Sequence, residues 1–112
     1  METTHLNNLS YEEKYKLATN EGTPAEILAV LAKDKIYTIR RGVALNESTK
    51  SETLAMLAKD DEWRVREAVA LNRNTPLNTL KILANDKEKA VRKAANKALN
   101  ERKMNTKFNK ER

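Results

Sequence analysis

The sequence repeats itself with a period of 26 residues, and this period constrains the fold more than any other feature. Residues 24–49 and 50–75 are identical at half of their aligned positions. The register is shown by four sets of equivalent residues: Thr23, Thr49 and Thr75; Leu31, Leu57 and Leu83; Asp34, Asp60 and Asp86; Arg40, Arg66 and Arg92. A fixed period of this length is typical of proteins built from stacked structural repeats.

Each period contains two stretches in which apolar residues recur at helical spacing. In residues 49–72 the first stretch carries Leu54 and Leu57, and the second carries Val65 and Val69. The predicted inward faces also include Ile36, Met56, Leu71 and Ile82. A threonine precedes the first stretch and an aspartate precedes the second, and both are expected to be helix N-caps. The sequence therefore predicts two helices in each period.

The two ends of the chain differ from the full repeats. Ser10 and Glu13 have the form of a capping box, which predicts a helix from Tyr11 to Thr19 that ends in a left-handed cap near Gly22. This helix is the second half of a repeat whose first half is missing. The last helix has no stop signal and is predicted to end at about Arg102. The predicted divisions are a loosely ordered N-terminus at 1–9, a helical repeat domain at 10–102 and a basic C-terminal tail at 103–112.

Composition supports an all-α protein and argues against disulfide-rich, thiolate-metal and membrane-spanning proteins. Charged residues make up 34% of the chain and aromatic residues 4%, which is typical of a helical protein with a highly charged, solvent-exposed surface. There is no cysteine, so neither a disulfide framework nor a thiolate metal site is expected. No signal peptide and no apolar run of membrane-spanning length is recognisable, which predicts a cytoplasmic protein with no membrane contact. Half of the net charge of +6 lies on residues 103–112.

The repeat has a recognisable form. It reads TPAEILAVLAKDKIYTIRRGVALN at 23–46 and TKSETLAMLAKDDEWRVREAVALN at 49–72, with a weaker copy at 75–98. This pattern resembles the variant leucine-rich repeat, a relative of the HEAT-like repeats, and its most specific part is the aspartate followed by a Val-Arg pair. The resemblance implies a right-handed α-solenoid of about three and a half two-helix repeats that binds other macromolecules. Some members of the family carry an iron–sulfur module, which is not expected here because cysteine is absent.

Stacked repeats place equivalent residues in columns about 10 Å apart, the usual distance between packed helices. One pair of columns carries opposite charges. We expect it to form a structural ladder of ion pairs between neighbouring repeats, in which Asp60 interacts with Arg66 and the arginines are not available to a ligand. The members of the ladder are Asp34, Asp60 and Asp86 with Arg40, Arg66 and Arg92, and Lys14 takes the arginine position in the first half repeat.

A second column contains aromatic residues. Tyr11, Tyr37 and Trp63 are equivalent, and Lys89 takes the fourth position. Each ring could pack over the turn beside it, or the rings could form a partly exposed row that anchors a partner. Trp63 lies two residues before Val65, about 200° away around the helix, so it is predicted to be partly exposed.

A third feature is basic. Lys89, Lys93 and Lys97 recur every four residues on the last helix, opposite its apolar side. They could be the polar outer face that the end of a repeat array requires, or they could contact phosphate groups.

Signatures of catalysis are missing from the sequence. There is no Gly-rich phosphate loop and no HExxH, and one histidine with no cysteine leaves the common nucleophile–base pairs unavailable. We therefore expect a non-enzymatic binding scaffold without a cofactor or metal. Another protein is the first hypothesis for the partner. The alternative is nucleic acid bound by the tail and by a basic end face, which consists of Lys89, Lys93 and Lys97 with Lys87, Arg102 and Lys103. The oligomeric state is left open.

Overall fold

The computed structural model describes residues 6–110, and the side chains of residues 6–105. The regular secondary structure of this part of the chain is all α-helix, with no strand, which confirms the predicted all-α class. The helices are α1 (Tyr11–Thr19), α2 (Ala25–Leu31), α3 (Tyr37–Leu45), α4 (Ser51–Leu57), α5 (Trp63–Leu71), α6 (Leu77–Leu83) and α7 (Lys89–Lys110). Leu6 and Asn7 are helical as well. The loosely ordered start predicted for 1–9 lies largely outside the described residues.

Long and short helices alternate along the chain. The long helices α1, α3, α5 and α7 pack successively against one another, and we call them the long-helix row. The short helices α2, α4 and α6, of seven residues each, pack against the long helices that precede and follow them. The described protein is elongated, with principal extents of 51 × 32 × 19 Å.

One continuous apolar core joins the two kinds of helix. Each short helix contributes two leucines three residues apart, and the long helices contribute smaller or β-branched side chains. The fully buried members include Leu28, Leu31, Leu54, Leu57, Leu80 and Leu83 from the short helices and Ile39, Val43, Val65, Val69, Val91 and Ala95 from the long ones. Burial of apolar surface contributes roughly 25 cal/mol per Å², so this core is the main source of stability.

The predicted inward faces were too wide. Ile36, Met56, Leu71 and Ile82 are exposed, Ile82 to 62%. Met56 and Ile82 lie on helices of two turns, in which two leucines three residues apart already fill the one side that faces the core. Ile36 precedes α3, and Leu71 is the last residue of α5. Ile82 precedes the buried Leu83 by one position, which turns it about 100° away from the core.

The threonine caps predicted for the short helices were wrong. The N-cap residues of these helices are Pro24, Lys50 and Pro76, and none makes a side-chain capping bond. The threonines are buried instead, and each hydroxyl donates to a carbonyl in the last turn of the preceding long helix: Thr23 to Leu17, Thr49 to Val43 and Thr75 to Val69, at 2.6–2.7 Å. They connect consecutive helices rather than start one.

The ends of the described part follow the prediction in some respects only. The capping box is present, with Ser10 Oγ accepting from the Glu13 N–H and Glu13 from the Ser10 N–H. The left-handed cap predicted near Gly22 is absent: neither Gly22 nor any other described residue has a positive φ. Gly42 marks a close approach of α1 and α3, since a Cβ there would lie 3.2 Å from the Ala18 Cβ. Helix α7 continues past Arg102 to the end of the described residues.

Candidate interaction surfaces

The oppositely charged columns form three successive ion pairs. Each basic side chain reaches the aspartate that lies twenty residues further along the chain. The pairs are Lys14 with Asp34, Arg40 with Asp60 and Arg66 with Asp86, each at 2.8 Å. Both arginines bind with two nitrogens, since Nη2 also donates to the second carboxylate oxygen at 3.1 Å. Such two-point pairing is geometrically specific.

The pairing differs from the one expected between Asp60 and Arg66. The Asp60 carboxylate accepts from Arg40, and Arg66 meets only the backbone carbonyl of Asp60, through Nη1 at 2.7 Å. The Arg66 guanidinium thus donates from Nη1 to a backbone carbonyl of its own repeat, and from Nε and Nη2 to the carboxylate of the next repeat. Sequence spacing alone does not distinguish these two arrangements.

The aspartates do not cap helices directly. The N-caps of α3 and α5 are Ile36 and Glu62, which make no side-chain cap. The aspartate Oδ1 instead accepts from the backbone N–H two residues on, at 2.9–3.0 Å for Asp34, Asp60 and Asp86. The carboxylates of Asp60 and Asp86 therefore hold the turn before the helix with one oxygen and the neighbouring repeat with both, whereas Asp34 binds Lys14 through Oδ2.

The environment of the last pair favours its charged form. Burial alone would raise the pKa of Asp86, but hydrogen bonds from Arg66 and from the Glu88 backbone, together with the Arg66 charge, hold that pKa below its usual value. The pKa of Arg66 is raised by its hydrogen bond to Asp86. Arg66 is only 6% exposed, and the pair is the most buried of the three.

The ladder has an open end on α7. Arg92 donates from Nη1 to the Asp86 carbonyl at 2.8 Å, as its equivalents do to the same position of their own repeats. Its Nε and Nη2 have no acceptor among the described residues. The 26-residue period alone groups Arg92 with the paired arginines Arg40 and Arg66.

A second ladder, made of asparagines, was not recognised as functional in the sequence. Asn46 and Asn72 are buried, and each amide donates to two carbonyls at the end of the preceding long helix. Asn72 Nδ2 lies 2.8 Å from the Ala44 carbonyl and 3.0 Å from that of Asn46. Its Oδ1 accepts from the Asn74 N–H. The recurrence of asparagine at 20, 46 and 72 was the available signal.

The aromatic column forms a connected row across three long helices. The Tyr11 and Thr38 hydroxyls lie 2.9 Å apart, which joins α1 to α3. The Arg64 guanidinium stacks 4.6 Å from the Trp63 ring centre and 5.8 Å from that of Tyr37, which joins α3 to α5. Glu62 pairs with Arg64 and holds it in place.

The rings are partly exposed. Tyr11 and Tyr37 are 44% and 36% exposed, and Trp63 is half-buried against the core. Residues four positions further along a helix are surface neighbours of the ring, and residues eight positions further lie about 12 Å away on the same broad side of the helix. Those that are apolar and exposed are Tyr15, Leu45 and Leu71. We call the surface formed by Tyr11, Tyr15, Tyr37, Leu45, Trp63 and Leu71 the open face. The 26-residue period predicted the aromatic column of this surface, but neither its other apolar residues nor Arg64.

The basic stripe on α7 takes the same helix positions as the open face in the last repeat. Lys89, Lys93 and Lys97 are all exposed. None of them forms an ion pair within the described part of the chain. The long-helix row thus changes from aromatic and apolar at α1 to α5 to basic at α7.

A metal site and a small-molecule pocket beside the ladder have little support in the described residues. Residues 6–110 contain no group of histidine, cysteine, aspartate or glutamate side chains arranged to hold a metal. A shallow cleft of about 490 Å³ lies beside the ladder. It is lined by Lys59, Asp60, Asp61, Arg66, Asp86 and Lys87. Ligand pockets are mainly apolar, whereas this cleft is charged and its central pair is already satisfied. Within the same residues no helix has both the length and the apolar character needed to cross a bilayer.

Comparison with known proteins supports the resemblance. A family model described as leucine rich repeat variant matches residues 63–88. The matched segment begins at the first residue of α5, includes α6 and ends just before α7. The resemblance identified in the sequence pattern is confirmed for this segment. No curated protein and no solved structure matches the chain.

Proposed function

We propose that the protein is a non-enzymatic binding scaffold that holds another protein against its open face. The observation that carries this proposal is the connected aromatic row formed by Tyr11, Tyr37 and Trp63. Aromatic residues dominate the energetics of protein interfaces, because they cover a large area at a low entropic cost. The family match agrees with this function, since such repeats suggest a scaffold for binding.

The row is held in position before any partner arrives. Arg64 stacks on two of its rings, and Glu62 fixes Arg64. Preorganised side chains lose less entropy on binding, which increases affinity. Leu45 and Leu71, which are also exposed, lie two turns further along α3 and α5 and add apolar area to the same broad side of the long-helix row.

We also propose that the helices are repeats of a right-handed α-solenoid with a 26-residue period. The support comes from contacts that recur at this spacing: the threonine, asparagine and ion-pair contacts take the same form in successive periods. Such arrays offer extended binding surfaces that grow with the number of repeats.

Nucleic acid is the second candidate partner. The exposed Lys89, Lys93 and Lys97 on α7 are the observation in its favour. Lysines of this kind would contact phosphates without reading sequence, so binding would fall steeply with salt.

Affinity capture from native lysate, with and without nuclease, distinguishes the two candidates. We expect the immobilised chain to retain a protein that nuclease does not release. The Trp63→Ala variant is expected to lose it, whereas Ile82→Ala, which removes an exposed apolar side chain from a short helix, is expected to keep it. Release by nuclease, or equal retention by both variants, would contradict the proposed open face.

A further inference from the structure

We propose that the open end of the ion-pair ladder, at Arg92, is a binding site for a side-chain carboxylate presented by an acidic segment of a protein partner. This inference rests on the proposed function in one respect: both take the partner to be a protein. It concerns a different site, at the start of α7, and does not depend on the aromatic row.

The preceding pairs define what the site accepts. In Arg66 the Nη1 atom donates to the Asp60 carbonyl at 2.7 Å, and Nε and Nη2 hold the Asp86 carboxylate at 2.8 and 3.1 Å. Arg40 holds Asp60 with the same atoms and the same distances. The chain therefore contains two filled copies of one carboxylate site.

Arg92 is the third copy, and it is unfilled. Its Nη1 donates to the Asp86 carbonyl at 2.8 Å, so the backbone bond that orients the other guanidinium groups is present. The two nitrogens that would hold a carboxylate have no acceptor among the described residues. The position 26 residues after Asp86 is Arg112, a cation rather than the expected acid. The sequence thus supplies no carboxylate at the equivalent position.

The charge of the chain favours an acidic ligand at this end. Residues 87–112 carry a net charge of +7, against −1 for residues 1–86. The nearest contributors are Lys87, Lys89 and Lys93, with Glu88 the one acid among them. A cluster of one sign attracts oppositely charged ligands and increases their rate of association.

Both filled copies hold an aspartate, and this defines the ligand proposed for the third. In the filled copies the bound carboxylate also accepts the backbone N–H two residues on, so it lies in a tight turn of its own chain. An aspartate at the start of such a turn in a partner would reproduce the whole arrangement.

Fluorescence anisotropy with a short labelled aspartate peptide tests the site, and the same peptide made of asparagine is the charge control. Arg92→Ala should weaken binding about tenfold, as expected for one charge-assisted hydrogen-bonded contact. Arg92→Lys should recover only part of the loss, because lysine keeps the charge but lacks the planar fork. Lys97→Ala removes the same charge from the same helix and should have a much smaller effect.

The NMR signal of the Arg92 Nε–H group provides a structural readout. On titration with the aspartate peptide it should move towards the signals of Arg40 and Arg66, whose Nε–H groups already hold carboxylates. Trp63→Ala should leave peptide binding unchanged, so failure of this site and failure of the open face give different results.

Three results would overturn the proposal: no binding of the aspartate peptide, equal weakening by Arg92→Ala and Lys97→Ala, or tighter Arg92-dependent binding of oligothymidylate. The last would assign the site to phosphate.

Discussion

Arg66 illustrates how one side chain links three elements. It is almost fully buried, and it joins the turn before α5 to the turn before α7 through Asp60 and Asp86. Removing one partner of such a pair leaves an uncompensated buried charge, while the pair as a whole contributes less to stability. Its main effect is to fix how neighbouring repeats are positioned.

A double-mutant cycle on Arg66→Ala and Asp86→Ala should show this coupling. We expect each single change to lower the free energy of unfolding, and the double variant to lose less than the sum by about 1 kcal/mol or more. Urea unfolding measures it. The cycle between Arg66 and Asp60 should give a smaller coupling, because the Asp60 carboxylate binds Arg40. Strict additivity in the first cycle would mean that the pair does not form.

The same pair predicts a pH dependence. The pKa of Asp86 is lower in the folded protein than in the unfolded chain, so the unfolded state binds a proton first as the pH falls. Its contribution to stability is therefore fully present above the ordinary aspartate pKa of about 3.9 and is lost as the pH falls through the folded value. The difference in stability between wild type and Asp86→Asn should shrink from pH 7 to pH 3. A constant difference would contradict the pKa shift.

Asn72→Ala should be among the more costly polar substitutions. Asn72 is 3% exposed, and its loss would remove the bonds to the Ala44 carbonyl and the Asn74 N–H, while the Asn46 carbonyl would keep only the Thr49 N–H. An unsatisfied buried group costs about 1–3 kcal/mol, so we expect a loss of about 3 kcal/mol in urea unfolding. Asn20→Ala is the matched control, since Asn20 is exposed and should change stability little. Similar losses in both variants would argue against the asparagine ladder.

At the scale of elements, each short helix is attached by two leucines. Leu57 is buried in the centre of the core, and its neighbour Met56 is exposed. Leu57→Ala should cost about 2–5 kcal/mol through lost transfer energy and a cavity. Met56→Ala, on the same helix, should cost well under about 1 kcal/mol. A small loss for Leu57→Ala would place that residue outside the core.

Helix positions were predictable from sequence, whereas the roles of their flanking residues were not. The start of α1 follows from Ser10 and Glu13, because a capping box is a local signal. Thr75 and Asp86 were assigned as caps on the same kind of local pattern. Their actual partners, the Val69 carbonyl and the Arg66 guanidinium, lie in other helices. Tertiary contacts decided these roles, and they cannot be read from spacing within one helix.

At the scale of the whole molecule, the long-helix row places equivalent residues of successive helices next to one another. Periodicity was therefore enough to find the aromatic column. It was not enough to find Tyr15 and Leu71, since their sides of the helices were assigned to the core or left unassigned. It also did not reveal that Arg92 differs from Arg40 and Arg66, because the acid that each paired arginine binds lies twenty residues further along the chain, and only the structure shows this pairing.

The most direct test of the binding surface is the dissociation constant of the captured protein, measured by isothermal titration calorimetry with matched variants. Trp63→Ala should weaken binding by about thirtyfold or more, as expected for a central aromatic anchor worth about 2 kcal/mol. Trp63→Tyr should weaken it less, and Ile82→Ala should leave it unchanged, with urea unfolding showing that every variant is folded. Equal affinities for wild type and Trp63→Ala, or an equal loss for Ile82→Ala, would contradict the assignment of the open face as the binding surface.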